Sequence, residues 1–166
     1  MDQKDNKNHK KLSTQRKNSP KNTVELRVVL DTNIIVGGVF PAKSNPRRIV
    51  EALLDRRFNI ILSDGTYGEI TRVLGKIGGS RPARLPKDFI ENLDRFLRDN
   101  AVWVPDRKLD SPVCGDPSDD KFFAAAHEGR ARYLVSNDKL VLEVGIFEGV
   151  EIISASAFVD ILSRET

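Results

Sequence analysis

The stretch Val28-Val29-Leu30-Asp31-Thr32-Asn33 decides how the rest of the sequence is interpreted. Its β-branched and leucine run predicts a buried strand over residues 26–30, which ends at Asp31. A turn or short helix is expected to follow through Phe40. Because Asp, Thr and Asn are also common helix N-caps, capping is an alternative role for Asp31.

Further along the chain, apolar runs alternate with segments of helical periodicity. The runs predict strands over residues 58–62, 101–104, 133–136 and 150–153. Strands that alternate with helices indicate a mostly parallel sheet covered on both faces. Ligand sites in such sheets lie beyond the carboxyl ends of the strands, so the residues after each strand are the candidates for function. The intervening helices are predicted to begin near Asn45, Ser63, Pro86, Ser118 and Ser154 or Ser156.

Four acids are placed so that they could converge on one cleft. They are Asp31, Glu69, Asp120 and Asp138. Asp120 lies one turn before Phe123, and a carboxylate aligned with an apolar stripe needs a partner or a metal ion. Helix capping is the alternative for Asp138, and it is the role that fits Asp119 best. The alternative for Glu69 is a surface ion pair with Arg72.

A cluster of this kind favours a hard cation. Neighbouring carboxylates raise each other's pKa unless a cation lies among them, and Mg²⁺ or Mn²⁺ suits oxygen ligands. Such a metal can activate water and neutralise charge on a phosphoryl oxygen, which is the chemistry of a nuclease. One cysteine, Cys114, excludes a disulfide framework or a cysteine-rich zinc site. With His9 and His127 as the only histidines, a Ser–His–Asp triad is poorly supported.

The sequence resembles the PIN-domain family, in particular the branch of toxin components of toxin–antitoxin pairs. The resemblance covers roughly residues 25–162. Beyond the first stretch, it rests on residues 63–74 with Glu69, on Asp116-Pro117-Ser118-Asp119-Asp120-Lys121-Phe122-Phe123-Ala124, and on Tyr133-Leu134-Val135-Ser136-Asn137-Asp138. It implies a Rossmann-like, three-layer α/β/α fold with a parallel five-stranded sheet in the order 3-2-1-4-5. In that order, the strands that end in Asp31 and Asp138 are neighbours.

The resemblance also implies a divalent-metal ribonuclease that hydrolyses RNA phosphodiesters with Mg²⁺ or Mn²⁺. Its acidic site would be formed by Asp31, Glu69, Asp120 and Asp138. Asp116 matches an extra acid of this branch, and Thr32, Asn33 and Ser136 would orient carboxylates or water. Ser136 stands where the family usually has Thr. The candidate phosphate contacts, each with a solvated helix surface as the alternative, are Arg47, Arg48, Arg72, Lys121 and Lys139.

The basic character of the chain belongs to its first residues. Residues 1–23 carry a net charge of +5, whereas residues 24–166 carry −2. The first segment is predicted to be a disordered basic tail, either an electrostatic tether for nucleic acid or a solvated extension, and the second a single PIN-like domain. No apolar run approaches the roughly 20 residues that span a bilayer, and there is no secretory signal, so a cytoplasmic location without membrane contact is expected.

Other functions stay open at this point. The resemblance implies an RNA substrate, a cognate antitoxin and a homodimer for a toxin, but a PIN domain can instead process RNA in a housekeeping role or bind RNA without cleaving it. A phosphatase with Asp31 as nucleophile is a third possibility. That class favours an acid two residues after the nucleophile, where this chain has Asn33.

Overall fold

Short apolar runs form the strands of a central sheet, and the inner strands are buried between helices on both faces. The fold is described from a computed structural model, which covers residues 25–80 and 87–165. The predicted tail therefore lies outside the described residues. The strands are β1 (Arg27–Leu30), β2 (Asn59–Leu62), β3 (Val102–Trp103), β4 (Tyr133–Val135), β5 (Ile146–Phe147) and β6 (Val150–Ile153).

The strand order is β3-β2-β1-β4-β6-β5, and every pair is parallel except β5 with β6. This confirms the α/β fold class and the predicted order, with β6 as the fifth predicted strand. In the centre, Leu30 of β1 is in register with Val135 of β4. The amide of Asp31 then donates to the Val135 carbonyl at 2.9 Å. The two strands therefore end side by side at the switch point of the sheet.

The prediction of five strands was one short, because β5 adds an antiparallel edge. It is joined to β6 by the two-residue turn Glu148-Gly149, with Phe147 in register with Val150. Both turn residues have positive φ, 46° and 85°, which is the conformation of a type I′ hairpin turn. Glycine adopts it without steric cost, whereas Glu148 adopts it against its usual preference.

Seven α-helices lie within residues 25–80 and 87–165. Ser44, rather than Asn45, caps α2, since its Oγ accepts from the Arg47 amide at 3.2 Å. Ser154 caps α7 as predicted. A single 3₁₀ turn, Pro117–Asp119, precedes α5. The helices are α1 (Thr32–Val39), α2 (Asn45–Leu54), α3 (Asp64–Ser80), α4 (Lys87–Asn100), α5 (Asp120–Glu128), α6 (Lys139–Leu142) and α7 (Ala155–Arg164).

The core divides into two apolar layers, one on each face of the sheet. Alternate residues of β1 enter different layers: Val28 and Leu30 join the layer beneath α1, α2 and α7, and Val29 joins the layer beneath α5. Gly38 allows α1 to approach α2 closely, since a Cβ there would collide with Val50. Within the described residues, no helix is both long and apolar enough to cross a membrane.

Candidate metal centre

Asp31 is a buried carboxylate at the carboxyl end of β1. It is only 4% exposed. It occupies the N-cap position of α1 without making a side-chain cap. Its Oδ2 instead accepts from the Ser136 hydroxyl at 2.6 Å and faces the Asn33 amide nitrogen at 3.4 Å. The carboxylate is thus oriented by neighbouring side chains, and capping does not account for it.

Ser136 joins the ends of the two central strands. It is fully buried directly after β4. Its Oγ donates to Asp31 and accepts from the Asp138 amide at 3.0 Å. The same hydroxyl thereby places Asp31 and Asp138 relative to each other. Asp138 itself caps α6, since its Oδ1 accepts from the Leu140 amide at 2.8 Å.

Glu69 approaches these acids from α3. Its Oε2 accepts a hydrogen bond from the Thr32 hydroxyl. Its Oε1 lies 2.9 Å from the Lys121 ammonium, and its side chain is 18% exposed. The ion pair proposed for Glu69 with Arg72 is replaced by this pair with Lys121, so Glu69 is tied to both α1 and α5.

The loop before α5 gives two adjacent acids, Asp119 and Asp120, different contacts. Asp120 Oδ1 accepts from the amides of Val113 and Cys114, both at 3.2 Å. Asp119 occupies the N-cap position of α5 but makes no side-chain cap. Sequence reasoning assigned Asp119 to capping and Asp120 to the cluster. The charges of the other acids also act on Asp119, and the role of Asp120 in the cluster stays a prediction.

The pKa values show that these acids share one electrostatic environment. Partial burial, followed by the charges of Asp31, Asp116, Asp138 and Glu69, raises the pKa of Asp119 to about 6. Burial also raises the pKa of Asp31, opposed by the Ser136 hydrogen bond and assisted by the charges of Glu69 and Asp138. We call Asp31, Glu69, Asp116, Asp119 and Asp138 the acidic cluster. Its negative charge is only partly compensated within the protein.

Asp116 forms the rim of the acidic cluster. It is exposed, and its Oδ1 accepts from the amide and the hydroxyl of Ser118 at 3.0 and 2.8 Å. These two bonds lower its pKa. Asp116 therefore stays ionised, and its charge adds to the field at Asp119.

The donor set of the acidic cluster fits a hard divalent cation. Carboxylate oxygens are the ligands that Mg²⁺ and Mn²⁺ prefer, and mutual repulsion of this kind is relieved by a cation. Across residues 25–80 and 87–165, no three side chains of His, Cys, Asp or Glu are already positioned to hold a metal ion. Direct coordination of one cation by three of these side chains would therefore require the carboxylates to move towards one another.

The predicted phosphate contacts differ in whether their side chains already bind other residues and in how exposed they are. Arg47 bonds to Glu51 at 3.1 Å and to the Gly38 carbonyl at 3.3 Å, and its guanidinium lies 4.2 Å from the centre of the Phe89 ring. These contacts hold α1, α2 and α4 together, so Arg47 has a structural role. Three of the others are exposed, namely Arg48, Arg72 and Lys139.

Comparisons with known proteins agree with this geometry. A family model described as a PIN domain matches residues 27–140, which is more than half of the chain. Among solved structures, the crystal structure of PAE2754 from Pyrobaculum aerophilum superposes with a TM-score of 0.52 at 15% sequence identity. The match covers 84% of this chain and 90% of that chain, and at this identity it shows the fold alone. No curated protein matches the sequence.

Proposed function

Because the chain belongs to the PIN-domain family, whose members are generally nucleases that use divalent metal ions, we propose that it is a metal-dependent ribonuclease. It would hydrolyse RNA phosphodiesters with Mg²⁺ or Mn²⁺. The observation that supports this proposal is the acidic cluster at the carboxyl ends of β1 and β4. A parallel sheet presents ligand sites at this position.

Asp31, Asp119 and Asp138 would hold the cation, and Glu69 would complete the site. This proposal prefers Asp119 to Asp120, because the charges of the other acids act on Asp119 and Asp120 Oδ1 already accepts from two backbone amides. When bound, the cation would lower the pKa of a coordinated water and neutralise charge on the phosphoryl oxygen.

The residues around the acidic cluster prepare it for this chemistry. Ser136 fixes the direction of the Asp31 carboxylate, so that this ligand is ordered before any cation binds. Thr32 does the same for one oxygen of Glu69. Burial of Asp31 strengthens its interaction with charge, because the surrounding dielectric is low. Asp119 is the more exposed ligand and would complete the site from the α5 side.

RNA would be held by cations outside the acidic cluster. Arg48 on α2, Arg72 on α3 and Lys139 on α6 are exposed and would contact phosphates. Such contacts give affinity without base specificity, and they weaken as salt concentration rises.

The test is cleavage of a single-stranded RNA in Mn²⁺, with EDTA and a DNA of the same sequence as controls. We expect cleavage of RNA alone, which stops with EDTA and with Asp31→Asn. The matched variants are Asp119→Asn and Asp120→Asn, which make the same change at adjacent positions. Activity should be lost in the first and retained in the second, because an asparagine oxygen can still accept from the two amides. Cleavage that survives EDTA and Asp31→Asn would refute the proposal, and RNA binding without cleavage would support a binding module.

A toxin role is a narrower form of the same proposal and rests on the sequence resemblance. It includes a cognate antitoxin and a homodimer as partners. Expression of the wild type should arrest growth, whereas Asp31→Asn should not. Growth arrest that is equal in both would remove the nuclease as its cause, and normal growth with active enzyme would favour a role in RNA processing.

A further inference from the structure

Lys121 brings a positive charge into the acidic cluster. Its ammonium lies 2.9 Å from Glu69 Oε1, and the two side chains are 31% and 18% exposed. Lys121 belongs to the first turn of α5, two residues after Asp119. Of the ion pairs between described residues, this is the one that involves an acid of the cluster.

The ion pair leaves Glu69 without a free oxygen. Thr32 donates to Oε2 and Lys121 occupies Oε1. A divalent cation that binds Glu69 directly must therefore share an oxygen with one of these partners or displace it. The Lys121 ammonium is the partner that also repels the cation, since two positive charges within a few ångströms of each other are unfavourable in a partly buried site.

From this geometry we infer that Lys121 is a positioning residue that competes with the divalent cation for Glu69. This inference rests on the proposed function, because it assumes a cation at the acidic cluster. In the metal-free protein, Lys121 neutralises part of the cluster and fixes Glu69. When a cation binds, the ammonium leaves Oε1 and turns to the partly exposed side of α5, where a phosphate of the substrate can take it as a counter-ion.

Competition and simple structural support predict opposite effects on metal affinity. If Lys121 only stabilised the fold, its removal would leave Glu69 less ordered and weaken or preserve cation binding. If it competes, its removal frees one oxygen of Glu69 and deletes a repelling charge. The affinity for the cation should then rise. A rise is therefore the result that a merely structural role does not produce.

The experiment is calorimetric titration of the full chain with Mn²⁺, using the wild type and variants at position 121. Lys121→Met should bind Mn²⁺ about fivefold more tightly, the upper end of what a partly exposed ion pair contributes. Lys121→Arg keeps the charge and should restore an affinity close to that of the wild type. Lys121→Gln serves as a second neutral variant if the methionine variant does not fold, as judged by circular dichroism.

The matched control is Lys139→Met, which removes the same charge from the residue next to Asp138. Lys139 is exposed and makes no ion pair with Glu69. We therefore expect the Mn²⁺ affinity of Lys139→Met to differ from that of the wild type by less than about twofold. An equal gain in both variants would attribute the effect to net charge and overturn the inference. Wild-type Mn²⁺ binding with unchanged or weaker binding by Lys121→Met and Lys121→Gln would also overturn it, while leaving the proposed function intact. A wild type that does not bind Mn²⁺ would refute the metal site itself.

Discussion

Replacement of Asp119 with asparagine is predicted to stabilise the metal-free protein near neutral pH. Partial burial and the neighbouring acids raise the pKa of Asp119 from 3.8 to about 6. The folded state therefore binds the proton more tightly than the unfolded state. Such a group contributes stability that is fully present below the unfolded pKa and is lost as the pH rises through the folded pKa. Asparagine resembles the protonated side chain at every pH, so the variant escapes this loss.

The size of the effect follows from the pKa shift and from exposure. At about 1.4 kcal/mol per pKa unit, the full shift corresponds to roughly 3 kcal/mol. Asp119 is only partly buried, and water screens the charges around it. We therefore expect Asp119→Asn to raise the free energy of unfolding by about 1 kcal/mol at neutral pH.

Urea unfolding in EDTA measures this difference. The gain should be present at about pH 7.5 and should shrink as the pH is lowered towards 4, where wild-type Asp119 is itself protonated. Asp120→Asn is the control and should show no gain, since Asp120 Oδ1 accepts hydrogen bonds from two backbone amides. A variant at position 119 that is no more stable than the wild type at neutral pH, or a gain that does not vary with pH, would refute the reasoning.

Three further predictions concern the packing, the buried serine and the first residues of the chain. Gly38→Ala should destabilise the protein by about 2 kcal/mol, because the added Cβ collides with α2. Gly75→Ala on α3 should stabilise it by up to about 1 kcal/mol, because nothing lies within 4 Å of the added Cβ. Thermal unfolding of the two variants measures this difference. Ser136→Ala should cost about 2 kcal/mol in urea unfolding, because it removes the hydrogen bond to buried Asp31, and a Thr at this position, which keeps the hydroxyl, should lose less. Residues 1–23 carry a net charge of +5, so their deletion should weaken RNA binding and reduce its dependence on salt concentration. Metal-dependent cleavage should remain. Loss of cleavage in a variant that still folds would contradict this prediction.

The central part of the fold was predictable because its signals are local and mutually consistent. The apolar runs that became β1, β2, β4 and β6 are short, rich in Val, Ile and Leu, and separated by helices. In a parallel sheet these features constrain which residues reach the carboxyl edge. The adjacency of Asp31 and Asp138 needed one further fact, the strand order, which came from the resemblance. The register of β1 with β4 confirms that adjacency.

The different contacts of Asp119 and Asp120 could not be predicted from the sequence. Successive helical residues point about 100° apart, so a shift of one residue in where α5 begins exchanges the two side chains. The amides that bind Asp120 belong to Val113 and Cys114, in a loop whose path depends on the whole domain. Capping preferences do not include such a contact. The ion pair between Lys121 and Glu69 was not predictable either, because it joins two helices that are far apart in sequence.

The additional strand β5 was missed for a different reason. Its signal was present as a Glu-Gly pair between two short apolar segments, but type I′ turns favour Asn, Asp or Gly at both central positions. Glu148 has none of the features that make a left-handed conformation easy, and β5 has only two residues. Pairing with β6 therefore overrides the local preference of Glu148.

The excess negative charge at the sheet edge constrains the order of events in the proposed reaction. RNA phosphates are repelled by the same field that raises the pKa of Asp119, and in the described structure Lys121 is the cation paired with the acidic cluster. A divalent cation would offset part of this local field, whereas exposed Arg48 and Arg72 would attract phosphate from outside it. Under the proposed function, the backbone of RNA can be held by the outer cations at any time. Its scissile phosphate, however, would enter the cleft more readily when the carboxylates hold a cation, because the carboxylates alone oppose it.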